Sequence, residues 1–196
     1  MLKPVEREIV LPRLNIQQIE IELIGDSSLI CHKWSEKAKK MLLGKQMKQP
    51  KQAREARNPK EEYKASLYEM PDGKGYGFPA VGFKCAAVDA CSHIAGITKV
   101  EARGAFHIVG ELVKINGKPN MREDMVRLSG VSNVASIAFR GEFKDWTCKV
   151  LVRYNSNVLS AEQIVNLFNT AGFAIGVGEW RPQKDGSHGM FHVKNK

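Results

Sequence analysis

Eleven basic side chains crowd the stretch from Lys33 to Lys64. Lys33, Lys37, Lys39, Lys40, Lys45, Lys48, Lys51, Arg54, Arg57, Lys60 and Lys64 face four acids there: Glu36, Glu55, Glu61 and Glu62. The balance, +7, is most of the chain's formal net charge of +9. One-signed charge in a short run suits a polyanion, because ammonium and guanidinium groups that meet phosphates release condensed counterions. The plainer alternative is a solvated surface segment whose charge aids solubility.

A second run, Gly176 to Gly189, combines flexibility with charge. Gly176, Gly178, Gly186 and Gly189 let backbone approach a ligand closely and expose N–H groups to phosphate. Arg181 and Lys184 add charge, and Trp180 offers a stacking face. A long hairpin whose glycines serve its turns is the competing reading. Lys74-Gly75-Tyr76-Gly77-Phe78 matches the first five positions of the aromatic motif on RNA-recognition sheets. Pro79 follows, which lacks the ladder N–H, so the run reads as a glycine-permissive turn feeding a helix.

Residue types that could catalyse are present without catalytic spacing. His188 and His192 are four apart, but one falls in a loop and the other in a strand. Asp26, Glu123 and Asp124 supply carboxylates without the spaced acidic set of two-metal chemistry. No P-loop and no G-x-S-x-G run is found. Cys31, Cys85, Cys91 and Cys148 form no C-x-x-C pair and read as buried free thiols. Neither a metal nor a cofactor is expected, and the chain reads as a non-enzyme. Asp26 is the one catalytic candidate retained, against a turn-capping role.

These residues need elements to hold them. Ile19 to Ile24 alternates apolar and charged, a half-buried strand, and Leu29-Ile30-Cys31 is a second apolar run. Trp34, Ala38, Met41 and Leu42 fall at helical spacing, which predicts a helix from Trp34 to about Lys48 with a thin apolar stripe. Gln49 to Arg57 is polar and reads as a flexible join. Asn58, Pro59 and Glu61 open a short helix to about Tyr68. A helix from Pro79 is expected to bury Val81, Cys85, Val88 and Cys91. Ala105–Val109 and Leu112–Ile115 read as strands parted at Gly110, with Asn116-Gly117 as a hairpin signal. Met121 to Leu128 is a return arm or a loop, and Ile137–Arg140 is a short strand.

Trp146 to Tyr154 reads as a long strand with Trp146, Cys148, Val150, Val152 and Tyr154 inward. Ser160 and Gln163 form a capping box, Leu159 and Ile164 a staple, and Gly172 a C-terminal cap. Phe173 to Val177 and Met190 to Val193 are expected to be strands. Strands and helices interleave without a regular βαβ repeat, which predicts an antiparallel sheet with helices on one face.

Three of these segments resemble, in order, one superfamily, the RAMP (repeat-associated mysterious protein) proteins. Ile19 to Ile30, with its Gly-Asp-Ser-Ser-Leu-Ile, is similar to their first strand and small-residue turn. Phe78 to Ala87 resembles their helix start, with Pro79, Lys84 and Ala86 the clearest shared positions. Gly176 to Val193 is similar to their C-terminal glycine-rich loop and last strand. The sequence departs from the pattern in Ser28, in Val81-Gly82, and in a longer loop that contains Pro182. The chain as a whole also resembles uncharacterised proteins of tailed bacteriophages.

The resemblance implies a ferredoxin-like (RRM-like) fold. It also implies kinship with the backbone subunits of CRISPR complexes, which polymerise along guide RNA and grip its phosphates. An insertion after their first strand contributes to that grip, and some members cut target RNA with a loop aspartate, in a region comparable to that of Asp26.

The resulting expectation is an α+β protein, one domain over residues 1–196 with a basic helical insertion at 33–68 and a glycine-rich loop at 176–189. It would hold RNA or single-stranded DNA by Lys33, Lys37, Lys39, Lys40, Lys45, Lys48, Lys51, Arg54, Arg57, Lys84 and the Gly176–Gly189 loop. Self-association or a ribonucleoprotein complex is the expected context. The alternatives are a phage structural or anti-defence protein whose basic face binds an acidic protein surface, and a nuclease using Asp26 or Glu123 and Asp124. No apolar run is long enough to span a membrane, and Met1 to Glu8 lacks the core of a secretory signal, so a cytoplasmic location is expected.

Overall fold

A computed structural model describes residues 13–50, 56–127 and 134–194. Lys51, Arg54, Leu128 and the opening Met1 to Glu8 lie outside the described residues. The first half contains β1 (Ile16–Gly25), β2 (Leu29–Cys31), α1 (Glu36–Gln46), α2 (Pro59–Ala65), β3 (Tyr68–Glu69), β4 (Tyr76–Pro79) and α3 (Ala80–Ala90). Then come α4 (Lys99–Ala105), β5 (Phe106–Ile108), β6 (Leu112–Asn116), β7 (Pro119–Arg127) and β8 (Ala135–Phe143). The chain finishes with β9 (Thr147–Asn155), α5 (Ala161–Thr170) and β10 (Phe191–Val193).

The main sheet has the order β10-β1-β9-β6-β4-β3, with β5 also paired to β9. Every neighbouring pair is antiparallel. Taking β1, the β5–β6 pair, β9 and β10 as four successive strands, with α3 and α5 as the two crossovers, the order is fourth-first-third-second. That is the split βαβ arrangement of an α+β, ferredoxin-like fold. Alternation drives it. Ile19, Ile21 and Leu23 of β1 stand opposite Val152, Val150 and Cys148 of β9. Trp146, Cys148, Val150, Val152 and Tyr154 are all buried, as the alternation predicts. Phe83 of α3 and Ile164, Leu167 and Phe168 of α5 join them in one core. Burial of each such side chain contributes about 2 kcal/mol. The other face of β1 and β9 is charged, with Glu20 paired to Lys149 at 2.9 Å.

The segment between β1 and α3 is more than a helical insertion. β2 leaves the main sheet and pairs with β8, making a three-stranded sheet ordered β2-β8-β7. α1 and α2 follow, and β3 and β4 then extend the main sheet. α2 starts where expected, since Asn58 caps it by accepting from the Glu61 N–H.

Four local expectations are corrected. Asn116-Gly117 does not close a hairpin: β6 pairs with β4 and β9, whereas β7 runs the full length of β8 in the second sheet. Gly172 does not cap α5. The backbone continues as a π-helical turn over Ala171–Ile175, and Gly176, at φ 68°, ends it. Gly172 is required by packing instead, because a Cβ there would lie 1.7 Å from the Phe191 carbonyl oxygen. Phe173 to Val177 is therefore not a strand. Finally, α3 buries Ala80, Phe83, Ala86, Ala87, Val88 and Ala90, leaving Val81 and Cys85 exposed. Of the four thiols, Cys31, Cys91 and Cys148 are buried and Cys85 is not.

Candidate nucleic-acid interface

α1 forms because Ser35 caps it, its hydroxyl accepting from the Ala38 N–H at 3.2 Å. Glu36 lies in the first turn and Lys45 in the last, each favourable to the helix dipole. Yet α1 buries none of its residues. The stripe that sequence spacing assigns to a packed face stays in solvent, with Trp34, Met41 and Leu42 all exposed. Leu43 and Met47 are exposed as well, on a different side of the helix. Lys39 pairs with Glu36 at 2.6 Å, which with nearby lysines holds the Glu36 carboxyl below its ordinary range. Lys40, Lys45 and Lys48 make no ion pair among the described residues.

Arg57 has a structural position. It donates to both Glu62 carboxylate oxygens through Nε and Nη2, donates to the Ile137 carbonyl at 2.7 Å, and stacks 5.5 Å from the Phe139 ring. The hydrogen bonds it donates to Glu62 hold the guanidinium above its ordinary range. Its charge is answered within the fold, where it clamps α2 to β8. Lys33 and Lys64 border a shallow depression beside α2, shared with Glu61 and Glu69.

The loop from Gly176 to Gly189 is a folded clasp rather than an open hairpin. The Gly176 N–H donates to Ala171, Gly186 to Arg181 and Gly189 to Ser28. Those three amides are consequently not available to phosphate, which corrects the expectation drawn from their glycines. Gly178 is fixed by space, since a Cβ would stand 2.5 Å from the Ile30 carbonyl oxygen. Arg181 donates to the Gly178 carbonyl and to Gln183, while Trp180 and Asp185 take left-handed backbone at φ 54° and 58°. Trp180 is partly exposed, and Lys184 is exposed with no ion pair among the described residues.

Two histidine contacts fasten this clasp to the chain after β1, and a third ties β10 to the same stretch. His192 meets Asp26 at 2.6 Å, His188 meets Ser28 at 3.0 Å, and His32 meets Glu179 at 3.2 Å. The His32 contact holds Glu179 below the ordinary carboxylate range, against the raising effect of burial. Ser28 also lies 2.8 Å from Glu142, whose carboxyl is likewise held low by Ser28 and Arg122. A carboxylate there needs a donor, so the Ser28 hydroxyl donates to Glu142 and accepts from His188. A serine so placed has no base to activate it. Asp26 is partly exposed, and its carboxylate faces His192. Glu123 and Asp124 are adjacent on β7 and so point to opposite faces. Asp124 is paired with Arg122 at 2.9 Å and Arg140 at 3.4 Å.

A groove of about 240 Å³ lies between the clasp and α3. Gly82, Cys85, Ala86 and Asp89 line its helix side, and His32, Glu179 and Arg181 its other side. Two acids on its walls make it electrostatically mixed, not a basic trough. Lys84 is not among the lining residues. Two positions from Gly82 is roughly 200° around a helix, so it points away. It donates to the Arg103 carbonyl at 3.1 Å and meets His107 at 2.9 Å, and partial burial lowers its pKa. The sequence therefore groups residues that the fold separates. The clasp meets the root of the basic segment at His32, while Lys84 serves the α3–α4–β5 side.

Sequence reasoning missed the Arg122–Asp124–Arg140–Glu142 cluster. Arg122 and Arg140 are register partners across β7 and β8, a pairing that no local pattern announces. It also missed α4, whose capping box of Thr98 and Glu101 is a legible signal. Lys74 to Phe78 supplies no stacking platform: Phe78 is buried against Phe83, and Tyr76 packs edge-on to Phe143.

Among the described residues, no group of three or more His, Cys, Asp or Glu side chains could hold a metal ion. No helix among them is long and apolar enough to cross a membrane. No family model and no curated protein matches the sequence. Among solved structures, the chain is similar to the crystal structure of Cmr6 from Pyrococcus furiosus, with a TM-score of 0.48 and 10% identity. That match covers 93% of this chain and 100% of the other, and at such a score and identity no role follows from it.

Proposed function

We propose that this chain binds the phosphate backbone of a nucleic-acid strand through α1 and its flanking lysines, and does so without catalysing a reaction. The observation that carries the reading is a helix that buries nothing, with Lys40 and Lys45 on it and Lys48 just past its end, none of them in an ion pair among the described residues. Cations placed this way lose little on meeting phosphate, since no internal partner must be given up. Lys33 and Lys64 extend the surface beside α2, and Lys184 and Arg181 lie on the clasp. Arg57 and Lys84 hold the fold together rather than the strand. Kinship with RAMP subunits, assembly along a strand and a cytoplasmic location belong to the same proposal.

The test is binding of a labelled oligonucleotide across a salt series. Affinity should fall log-linearly with salt. Replacing Lys40, Lys45 and Lys48 together by Glu should weaken binding at least tenfold and flatten the single-strand slope by about 2. An unchanged slope in that variant removes α1 from the interface.

One feature favours a second reading: Met41, Leu42, Leu43 and Met47 are all exposed on the same helix. A basic helix with apolar side chains also suits an acidic protein surface. A partner retained after nuclease treatment, with no shift of labelled RNA or DNA, would select it.

A further inference from the structure

The phosphate grip proposed above assigns no contact to the bases, and Trp34 bears on that. The chain has three tryptophans. Trp146 is buried and donates to the Ser27 carbonyl at 2.8 Å, so it belongs to the core. Trp180 is 43% exposed but sits within the clasp, on left-handed backbone whose carbonyl accepts from the His188 N–H, and not beside the lysines of α1 in sequence. Trp34 is different. The residue is 53% exposed, and its indole makes no hydrogen bond among the described residues.

Its backbone, by contrast, is pinned on both sides. The Lys33 N–H donates to the Ser66 carbonyl at 2.9 Å, tying the segment to the end of α2. Ser35, immediately after it, caps α1. An indole held at a fixed point in solvent is a platform. The Lys39 ammonium lies 6.0 Å from its ring centre, and Lys33 and Lys37 are close in sequence, so the platform stands within the basic surface. On the open face of the main sheet, by contrast, charge is already answered, Glu20 pairing with Lys149 and Glu22 with Lys194.

We infer that the ligand is single-stranded, and that Trp34 stacks on one of its bases while the α1 lysines hold the adjoining phosphates. A π-face stacks on any base, so this contact adds affinity without sequence preference. A duplex keeps its bases stacked on one another and cannot offer one. The inference rests on the phosphate reading, and the two can fail separately.

The experiment compares the full chain with Trp34→Ala and Trp34→Phe. The probes are labelled oligouridylate, a base-free deoxyribose-phosphate strand of equal length, and a duplex of equal length. At low salt, Trp34→Ala should lose about tenfold on oligouridylate. Trp34→Phe should recover most of that loss, and neither change should alter binding to the base-free strand. Oligouridylate should also quench intrinsic fluorescence in the parent and not in Trp34→Ala. The stacking inference is overturned, with the phosphate reading intact, if oligouridylate and the base-free strand bind alike. Equal losses on both strands in Trp34→Ala, or a duplex bound as tightly as the single strand, overturn it too. If none of the three probes binds, the phosphate reading falls and takes this inference with it.

Discussion

Glu142 accepts from Ser28 and from Arg122 at 2.8 Å each, and it is nearly buried. Arg122 also reaches Asp124, which in turn meets Arg140, so two cations and two carboxylates alternate across β7 and β8. Removing one member leaves its neighbours charged and unanswered. Glu142→Gln should destabilise the fold by about 2 kcal/mol at neutral pH, read as a drop in Tm. The pH dependence has a definite sign. Glu142 and Glu179 are both held below the ordinary value of 4.5 in the fold. A depressed carboxyl contributes stability above its unfolded pKa and loses it as pH falls through the folded one. The parent should therefore lose stability below about pH 4.5, and its Tm advantage over Glu142→Gln should shrink there. A gap that persists in acid would mean that Glu142 acts by shape alone. Gly172→Ala makes a sharper test of packing. Its Cβ would strike the Phe191 carbonyl, so a loss of about 3 kcal/mol is expected.

At the scale of elements, α1 is the exception among the longer helices: α3 and α5 pack into the shared core, whereas α1 buries none of its residues. An isolated helix of its length is marginal in water. Its amides should exchange with solvent far faster than those of β9, and should gain protection when an oligonucleotide is added. Equal protection in the free protein would show α1 to be packed. The contrast between α1 and α5 also explains what could be read from the sequence. α5 carries its own boundary, with the Ser160–Gln163 box formed in both directions, and its apolar residues are the ones that pack. The α1 stripe has the same spacing, but spacing states only which residues share a face, not whether anything covers it. β9 was legible because its burial alternates strictly. The β7–β8 ladder was not, because Asn116-Gly117 is a stronger local turn signal than anything marking the partner strand, whose paired residues lie 8 to 24 positions further on. Phe173 to Val177 misled for a related reason: the glycine before it answers to the Phe191 carbonyl, a distant group.

At the scale of the whole molecule, the fourth-first-third-second strand order follows from two crossovers, and both were foreshadowed by the interleaving of strands and helices. The distribution of charge was legible, whereas its grouping in space was not. Lys84 and the Gly176–Gly189 clasp lie on different sides of α3, and Arg57 is committed to Glu62, facts that depend on tertiary contacts. Changes at these positions should thus separate by kind. Arg57→Ala is expected to lower Tm with little effect on the salt slope of strand binding. Lys40→Glu should do the reverse. A salt slope altered by Arg57→Ala at unchanged Tm would return that residue to the interface.

Of the four thiols, only that of Cys85 is exposed, and it sits on the rim of the groove between α3 and the clasp. Burial pushes the Cys31 and Cys148 thiols up to about 12, and Cys91 is also raised, so they stay protonated and shielded near neutrality. A maleimide dye should therefore attach at a single place without any engineered site. Mass spectrometry should find one adduct on the native protein and four after denaturation. Carried there, the dye would report by its colour or lifetime whenever the clasp shifts, turning an unremarked thiol into a built-in sensor of that motion.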